Sequence, residues 1–200
     1  LRQLKIGLKL NQNIEEIYFK NNNLEEYPEA VEKLSSSLEY CKNLKRISFE
    51  KTSLGSNPKN IRAIFNVLKK LEKLEAIWLT DIDLTSYPEE IKIFFIGLKE
   101  LKFLKFIELR NTGIFSNPEN TKILFEELKE FKYIDKIGLQ NAQIFSNPKN
   151  TKIIFDEIEE YKNIDEIKLN INTNHETDYI NINFYDHNFQ SNNYESYYEN

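Results

Sequence analysis

The sequence predicts an α/β repeat fold in which a strand and a helix alternate and similar units stack side by side. The first observation is that all five prolines lie 30 residues apart, at Pro28, Pro58, Pro88, Pro118 and Pro148. The second is that apolar residues alternate with period two before each proline. The third is that they recur at steps of three and four after it. Period two is typical of a strand with one buried face, and steps of three and four are typical of a helix.

Each unit contains a strand pattern spaced L-x-x-I-x-L, and in the first five units one more apolar residue follows five positions after the last leucine position. Six such runs keep the 30-residue phase, at 14–19, 44–49, 74–79, 104–109, 134–139 and 164–169. The side chains between the apolar positions are predicted to face away from the core. They form rows across neighbouring strands, with about 5 Å between adjacent members of a row.

The helix of each unit is predicted to begin at its proline. In three units Ser-Asn precedes the proline, and a polar cap followed by proline at the first helical position is a favoured helix start. The apolar stripe after Pro58 contains Ile61, Ile64, Phe65, Leu68 and Leu71. Cys41 falls on the same stripe one unit earlier, so we expect it to be a small buried side chain.

Strand, loop, helix and return within 30 residues resemble a leucine-rich repeat of the long, ribonuclease-inhibitor-like subtype, over about residues 1–170. The resemblance implies a right-handed solenoid with parallel strands on its concave face and helices on its convex face. It departs from the family at the ninth position of two units, where Ile82 and Ala142 cannot make the usual side-chain bond to the loop. We therefore expect these two loops to be held in another way.

The two ends differ from the repeats between them. Residues 1–8 match the second half of a repeat helix, so we expect residues 1–170 to be an N-terminally truncated array of about five and a half repeats. Residues 171–200 are predicted to form an acidic Asn/Tyr-rich cap and tail. They hold five acids and no Lys or Arg, which leaves 27 bases and 27 acids before them and places the net charge of −5 in this segment.

Two interpretations of residues 171–200 stay open. In the first, a strand or loop covers the open edge of the sheet after Leu169. In the second, the segment becomes ordered on a partner, with its tyrosines as anchors. The anchors would be Tyr179, Tyr185, Tyr194, Tyr197 and Tyr198.

Several function classes lack their sequence signature. The repeats have no basic stripe for nucleic acid and no apolar run long enough to cross a membrane. Both histidines, His175 and His187, lie in the C-terminal segment, and no glycine-rich phosphate loop is present. We therefore expect no enzyme activity, no cofactor and no metal. A single cysteine and the lack of an N-glycosylation sequon favour an intracellular, cytoplasmic location.

Trp78 is the single tryptophan, and its phase places it on the outer side of the predicted sheet, not in the core. Its expected neighbours include Phe106, Arg46 and Arg110, and an outward Trp with Arg at its rim is typical of a binding hot spot. The other interpretation is a Trp shielded by its neighbours, with no partner. The predicted partner-binding residues are Trp78, Phe106, Arg46, Arg110, Glu108, Tyr18 and Lys136.

These observations favour a non-catalytic protein–protein interaction scaffold that binds a protein partner through its concave strand face. Two alternatives are carried with it. One is a regulator of an enzyme in trans, since such repeats followed by an acidic tail resemble GTPase-activating proteins of the Ran type. The other is a structural subunit of a large assembly.

Overall fold

The computed structural model describes residues 2–24, 28–140, 147–158, 166–173 and 176–183. Within these ranges, helices and strands alternate until the last two strands. The helices are α1 (Arg2–Leu10), α2 (Pro28–Leu38), α3 (Pro58–Leu68), α4 (Pro88–Leu98), α5 (Pro118–Leu128) and α6 (Pro148–Ile158). The strands are β1 (Glu16–Lys20), β2 (Arg46–Glu50), β3 (Ala76–Thr80), β4 (Phe106–Glu108), β5 (Lys136–Gln140), β6 (Glu166–Thr173) and β7 (Glu176–Asn183).

The strands form one sheet in chain order, in which β1 to β6 pair in parallel and β7 pairs antiparallel to β6. Ile47, Ile77, Ile107 and Ile137 occupy the same rung and are fully buried. Parallel neighbours need a connection across one face of the sheet, and the helices supply it. The predicted α/β architecture of parallel strands and alternating helices is therefore confirmed.

The core lies between the sheet and the helices, and it consists of the residues predicted from the two periodicities. The apolar stripe of α3 is buried, and Phe65 stacks on Phe94 of α4 with 3.9 Å between ring centroids. Cys41 is also fully buried, as predicted. Because each helix packs on the next, one continuous core runs through the stack.

The helix starts follow the predicted chemistry, with proline at the first position of α2 to α6. The Asn57 side chain accepts a hydrogen bond from the Lys59 backbone N–H at 2.9 Å, and Asn117 caps α5 in the same way. Tyr87 precedes α4 and makes no such side-chain bond. There the acidic Glu89 and Glu90 occupy the first turn, where negative charge stabilises the helix N-terminus.

The loop after β3 is held by a residue of a later helix. Ile82 at the ninth position is buried and has no polar group for the loop. Asn120 of α5, itself fully buried, donates to the carbonyls of Leu84 at 3.3 Å and Thr85 at 2.8 Å. Asn60 of α3 makes the same kind of bond to the loop after β1. The expectation that the Ile82 loop is satisfied in another way is confirmed, whereas Ala142 lies outside the described residues.

At the C-terminal end, β7 covers the edge of β6, in agreement with the interpretation of a strand placed after Leu169. β6 itself runs to Thr173, past the predicted boundary at residue 170. The division into residues 1–170 and 171–200 stays a prediction. Residues 184–200, which contain most of the tyrosines of the second interpretation, lie outside the described residues.

Candidate functional site

The strand face is defined here as the side chains of β1 to β5 that point away from the helices. Two of its rungs carry the predicted site. Glu16, Arg46, Ala76, Phe106 and Lys136 share the first rung. Tyr18, Ser48, Trp78, Glu108 and Gly138 share the second. Both rungs have the register that the 30-residue period predicted.

Trp78 and Phe106 form an aromatic pair at the middle of the strand face. Their ring centroids lie 5.5 Å apart and their planes make an angle of 60°, an edge-to-face arrangement. Both side chains are half-buried, so Trp78 is less exposed than predicted. Its neighbours Ser48 and Ala76 are only 8% and 7% exposed although they lie on the outer side, because larger side chains cover them.

Tyr18, Glu16 and Arg46 form a polar network beside the aromatic pair. The Tyr18 hydroxyl donates to Glu16 Oε2 at 2.7 Å, and the Arg46 guanidinium pairs with the same carboxylate. The hydrogen bond from Tyr18 and then that from Arg46 hold the pKa of Glu16 below its ordinary value, while the bond to Glu16 raises the pKa of Tyr18. The charge of Arg46 is therefore already neutralised within the chain, which reduces what this side chain can add to a contact with a partner.

Arg110 lies at the opposite end of the aromatic pair. β4 ends at Glu108, so Arg110 belongs to the following turn, where its carbonyl accepts the Asp81 backbone N–H at 3.0 Å. The Arg110 side chain is exposed, and it makes no ion pair with any residue in the described ranges. Its guanidinium is therefore available to a carboxylate from elsewhere.

Glu108 and Lys136 complete the predicted set, and both are half-buried. The Glu108 carboxylate lies against Gly138, close enough that a Cβ at that position would overlap it. Gly138 thus leaves room on the next strand for the side chain of its rung neighbour. The structure brings Trp78, Phe106, Glu108 and Lys136 together, and it places Arg110 and Tyr18 at the margins.

Sequence reasoning missed a row of alternating charges at the start of the strands. Lys45 pairs with Glu15 at 2.9 Å, and Lys105 pairs with Asp135 at 3.1 Å. The Glu15 partner raises the pKa of Lys45. The signal was present in the sequence as opposite charges 30 residues apart, and Glu75 completes the alternation between Lys45 and Lys105.

The described residues offer no arrangement for metal chemistry, since none of their His, Cys, Asp and Glu side chains form a group of three or more that could hold an ion. In the same part of the chain, each helix is too short or too polar to span a bilayer. What the strand face presents is aromatic surface bordered by charged groups.

No protein-family model and no curated protein sequence matches the chain. Solved structures do match. A tropomodulin C-terminal domain from Caenorhabditis elegans has a TM-score of 0.60 at 12% identity, covering 80% of this chain and 92% of that chain. The actin-binding site 2 of leiomodin-1 has a TM-score of 0.57 at 15% identity, covering 80% of this chain and 87% of that chain. At these identities the likeness shows a shared fold.

The prediction of the ribonuclease-inhibitor-like subtype is wrong, because the two matching solved structures named above are a tropomodulin and a leiomodin domain. The subtype was predicted from the 30-residue period and the strand pattern. Any repeat that stacks a strand and a helix of these lengths has these two features, so they do not distinguish one kind of repeat from another. Asn120 of α5 holds the loop that has Ile82 at the ninth position, whereas Asn60 of α3 holds a loop whose ninth residue is Asn22.

Proposed function

We propose that this chain is a non-catalytic protein-binding module that contacts its partner through the strand face, with Trp78 and Phe106 at the centre of the contact. The observation that carries the proposal is this aromatic pair on the outer side of the sheet. Aromatic surface that stays partly exposed to water contributes little to the free energy of folding. A partner that covers both rings removes that surface from water, which stabilises the complex.

The surroundings of the pair support a specific contact. Interfaces are enriched in Trp, Tyr, Phe and Arg at their centres, with charged residues at the rim. Here Tyr18 is 59% exposed at one margin, and Arg110, which makes no ion pair with the residues that the structure describes, lies at the other. Arg46 would contribute less than predicted, because Glu16 already neutralises it.

The solved structures give a first partner to test. The leiomodin-1 domain is described as an actin-binding site, which supports a protein as the class of partner for this fold. At 15% identity no binding residue can be transferred. Actin is therefore proposed as the first candidate, in its monomeric and its filamentous form.

The test compares Trp78→Ala with the unchanged chain in binding to monomeric actin, to actin filaments by co-sedimentation, and to proteins captured and identified by mass spectrometry. Trp78→Ala is expected to weaken binding about 30-fold or more, since a central Trp is worth about 2 kcal/mol or more. Its thermal midpoint is expected to fall by no more than a few degrees, since the half-buried Trp78 loses an edge-to-face contact worth about 0.5–1.5 kcal/mol.

Ile93→Ala is the control, because Ile93 is 43% exposed on α4 in the helix layer and its loss removes apolar surface away from the strand face. Equal weakening by both variants, or unchanged affinity of Trp78→Ala for its partner, would contradict the proposal. The regulator of a GTPase and the structural subunit stay predictions. A GTP-hydrolysis assay with small GTPases tests the first, and protection of both chain ends from proteolysis tests the second.

A further inference from the structure

The C-terminal residues 184–200 have a composition that complements the strand face. They lie outside the described residues, so their sequence alone is considered. Their 17 positions contain three acids and no Lys or Arg. They also contain six aromatic residues, namely Phe184, Tyr185, Phe189, Tyr194, Tyr197 and Tyr198.

The pairing of β7 fixes where this segment leaves the sheet. Asn183, the last residue of β7, lies opposite Glu166 of β6. Glu166 lies opposite Lys136, and Lys136 lies opposite Phe106. The segment therefore departs on the rung that contains one of the two rings of the aromatic pair.

The distance from that exit to the aromatic pair is short compared with the length of the segment. β7 and β3 are four strand spacings apart, which amounts to about 19 Å. Seventeen extended residues span about 56 Å. The segment can reach Trp78 with more than half of its length to spare.

We propose that residues 184–200 dock on the strand face of their own chain, over Trp78 and Phe106, with one of their carboxylates near Arg110. Aromatic side chains of the segment would cover the half-buried pair. An acidic side chain would supply the ion pair that Arg110 lacks among the described residues. Tyrosines suit this role because they bring large contact area at a small cost in side-chain entropy.

Docking within one chain needs only weak intrinsic affinity. A short flexible connection gives an effective concentration of about 1 mM, so a dissociation constant of about 100 µM for the separate segment keeps it docked about 90% of the time. The same numbers predict that an external ligand of the strand face binds about tenfold more weakly to the full chain than to a chain that ends at Asn183. This last consequence rests on the proposed function, whereas the docking itself does not.

The test uses Trp78 as the reporter, since it is the single tryptophan of the chain. Its fluorescence is compared between the 200-residue chain and a chain that ends at Asn183. Removal of the segment is expected to shift the emission to longer wavelength and to increase quenching by acrylamide, because Trp78 becomes more exposed to water. Adding a synthetic peptide of residues 184–200 to the shortened chain is expected to reverse both changes.

Arg110→Glu in the shortened chain is expected to weaken peptide binding about tenfold, because a repulsive contact replaces an attractive one. Lys92→Glu is the matched control: Lys92 is exposed on α4 in the helix layer, and its reversal changes the net charge by the same amount. A circular-dichroism melt of each variant confirms that it is folded.

Identical Trp78 emission with and without the segment would overturn the proposal and would leave binding of a partner by Trp78 standing. An emission shift that depends on protein concentration would also overturn the proposal, because it would show that the segment binds a second copy of the chain. Equal peptide affinity for Arg110→Glu and Lys92→Glu would refute the assigned contact. Conversely, docking can be demonstrated even where no partner responds to Trp78→Ala, so the two proposals fail separately.

Discussion

At the scale of single residues, one position in each of four repeats has a left-handed backbone: the residue directly after β1, β2 and β3, and the third residue after β4. Asn21, Lys51, Asp81 and Asn111 have φ between 51° and 54°. Asn and Asp tolerate this conformation because their short polar side chains bond locally, whereas a long side chain such as Lys is strained in it. One repeat therefore carries an unfavourable residue at a position where the others carry favourable ones.

Replacing Lys51 with Asn is accordingly expected to stabilise the chain. Relief of the left-handed strain is worth about 0.5–1 kcal/mol, which corresponds to a rise of about 1–4 °C in the thermal midpoint of a domain of this size. A thermal melt followed by circular dichroism measures it. Lys42→Asn is the control, because Lys42 is exposed in a turn and is not among the described residues with positive φ. A lower midpoint for Lys51→Asn than for the control would contradict the expectation.

At the scale of elements, backbone hydrogen bonds and the charges of the side chains at the start of the strands hold neighbouring strands together. The Lys45 backbone N–H donates to the Glu15 carbonyl at 2.8 Å, and the Glu75 N–H donates to the Lys45 carbonyl at 2.7 Å. The side chains at these positions alternate in sign from Glu15 to Asp135. If a strand paired with the next strand but one, side chains of the same charge, such as Glu15 and Glu75, would be adjacent. The alternation of charge therefore favours the observed order of units.

Lys45→Glu would place three acids side by side, at positions 15, 45 and 75. We expect a thermal midpoint lower by no more than a few degrees, since exposed ion pairs contribute little. The loss should shrink as salt is raised to about 0.5 M, because salt screens exposed charges.

Lys42→Glu serves as the control for net charge. A loss that is independent of salt would show that the ion pair to Glu15 is not its cause.

At the scale of the whole molecule, burial increases from the first repeat to the central ones. Ile17 and Phe19 of β1 are only partly buried, whereas the equivalent Ile47 and Phe49 of β2 are fully buried. In a repeat array each unit is stabilised by its neighbours, so a unit with one described neighbour opens at lower free energy than a unit with two.

Amide hydrogen exchange of the 200-residue chain is expected to show this gradient, with faster exchange in β1, which has one described neighbour in the sheet, than in β3, which has two. A pair of matched substitutions tests the cause. Ile77→Ala should cost about 2–5 kcal/mol of unfolding free energy, and Ile17→Ala clearly less, since less apolar surface is lost. Uniform protection across these strands, or equal costs of the two substitutions, would contradict the account.

The sequence predicted the fold and the orientation of most side chains. In a strand, successive side chains point to opposite faces of the sheet, so an inward Ile47 requires an outward Ser48. The 30-residue repeat extends the same assignment to Ile77 and Trp78. Proline followed by an apolar helical stripe fixed where each helix begins. These properties depend on residues close together in the chain, which is why a sequence pattern can specify them.

Other features were decided only by the tertiary structure, because they join residues that the chain keeps apart. Asn120 lies on a helix stripe in sequence, yet its role is set by the Leu84 and Thr85 carbonyls 36 and 35 residues away. Trp78 is half-buried because Phe106 lies on the adjacent strand, and Arg46 is occupied because Glu16 lies beside it. The sequence by itself determined which side of the sheet each residue occupies. Only the stacking of repeats determined how deeply that residue is covered and which hydrogen bonds and ion pairs it makes there, since contact geometry depends on how closely the units pack.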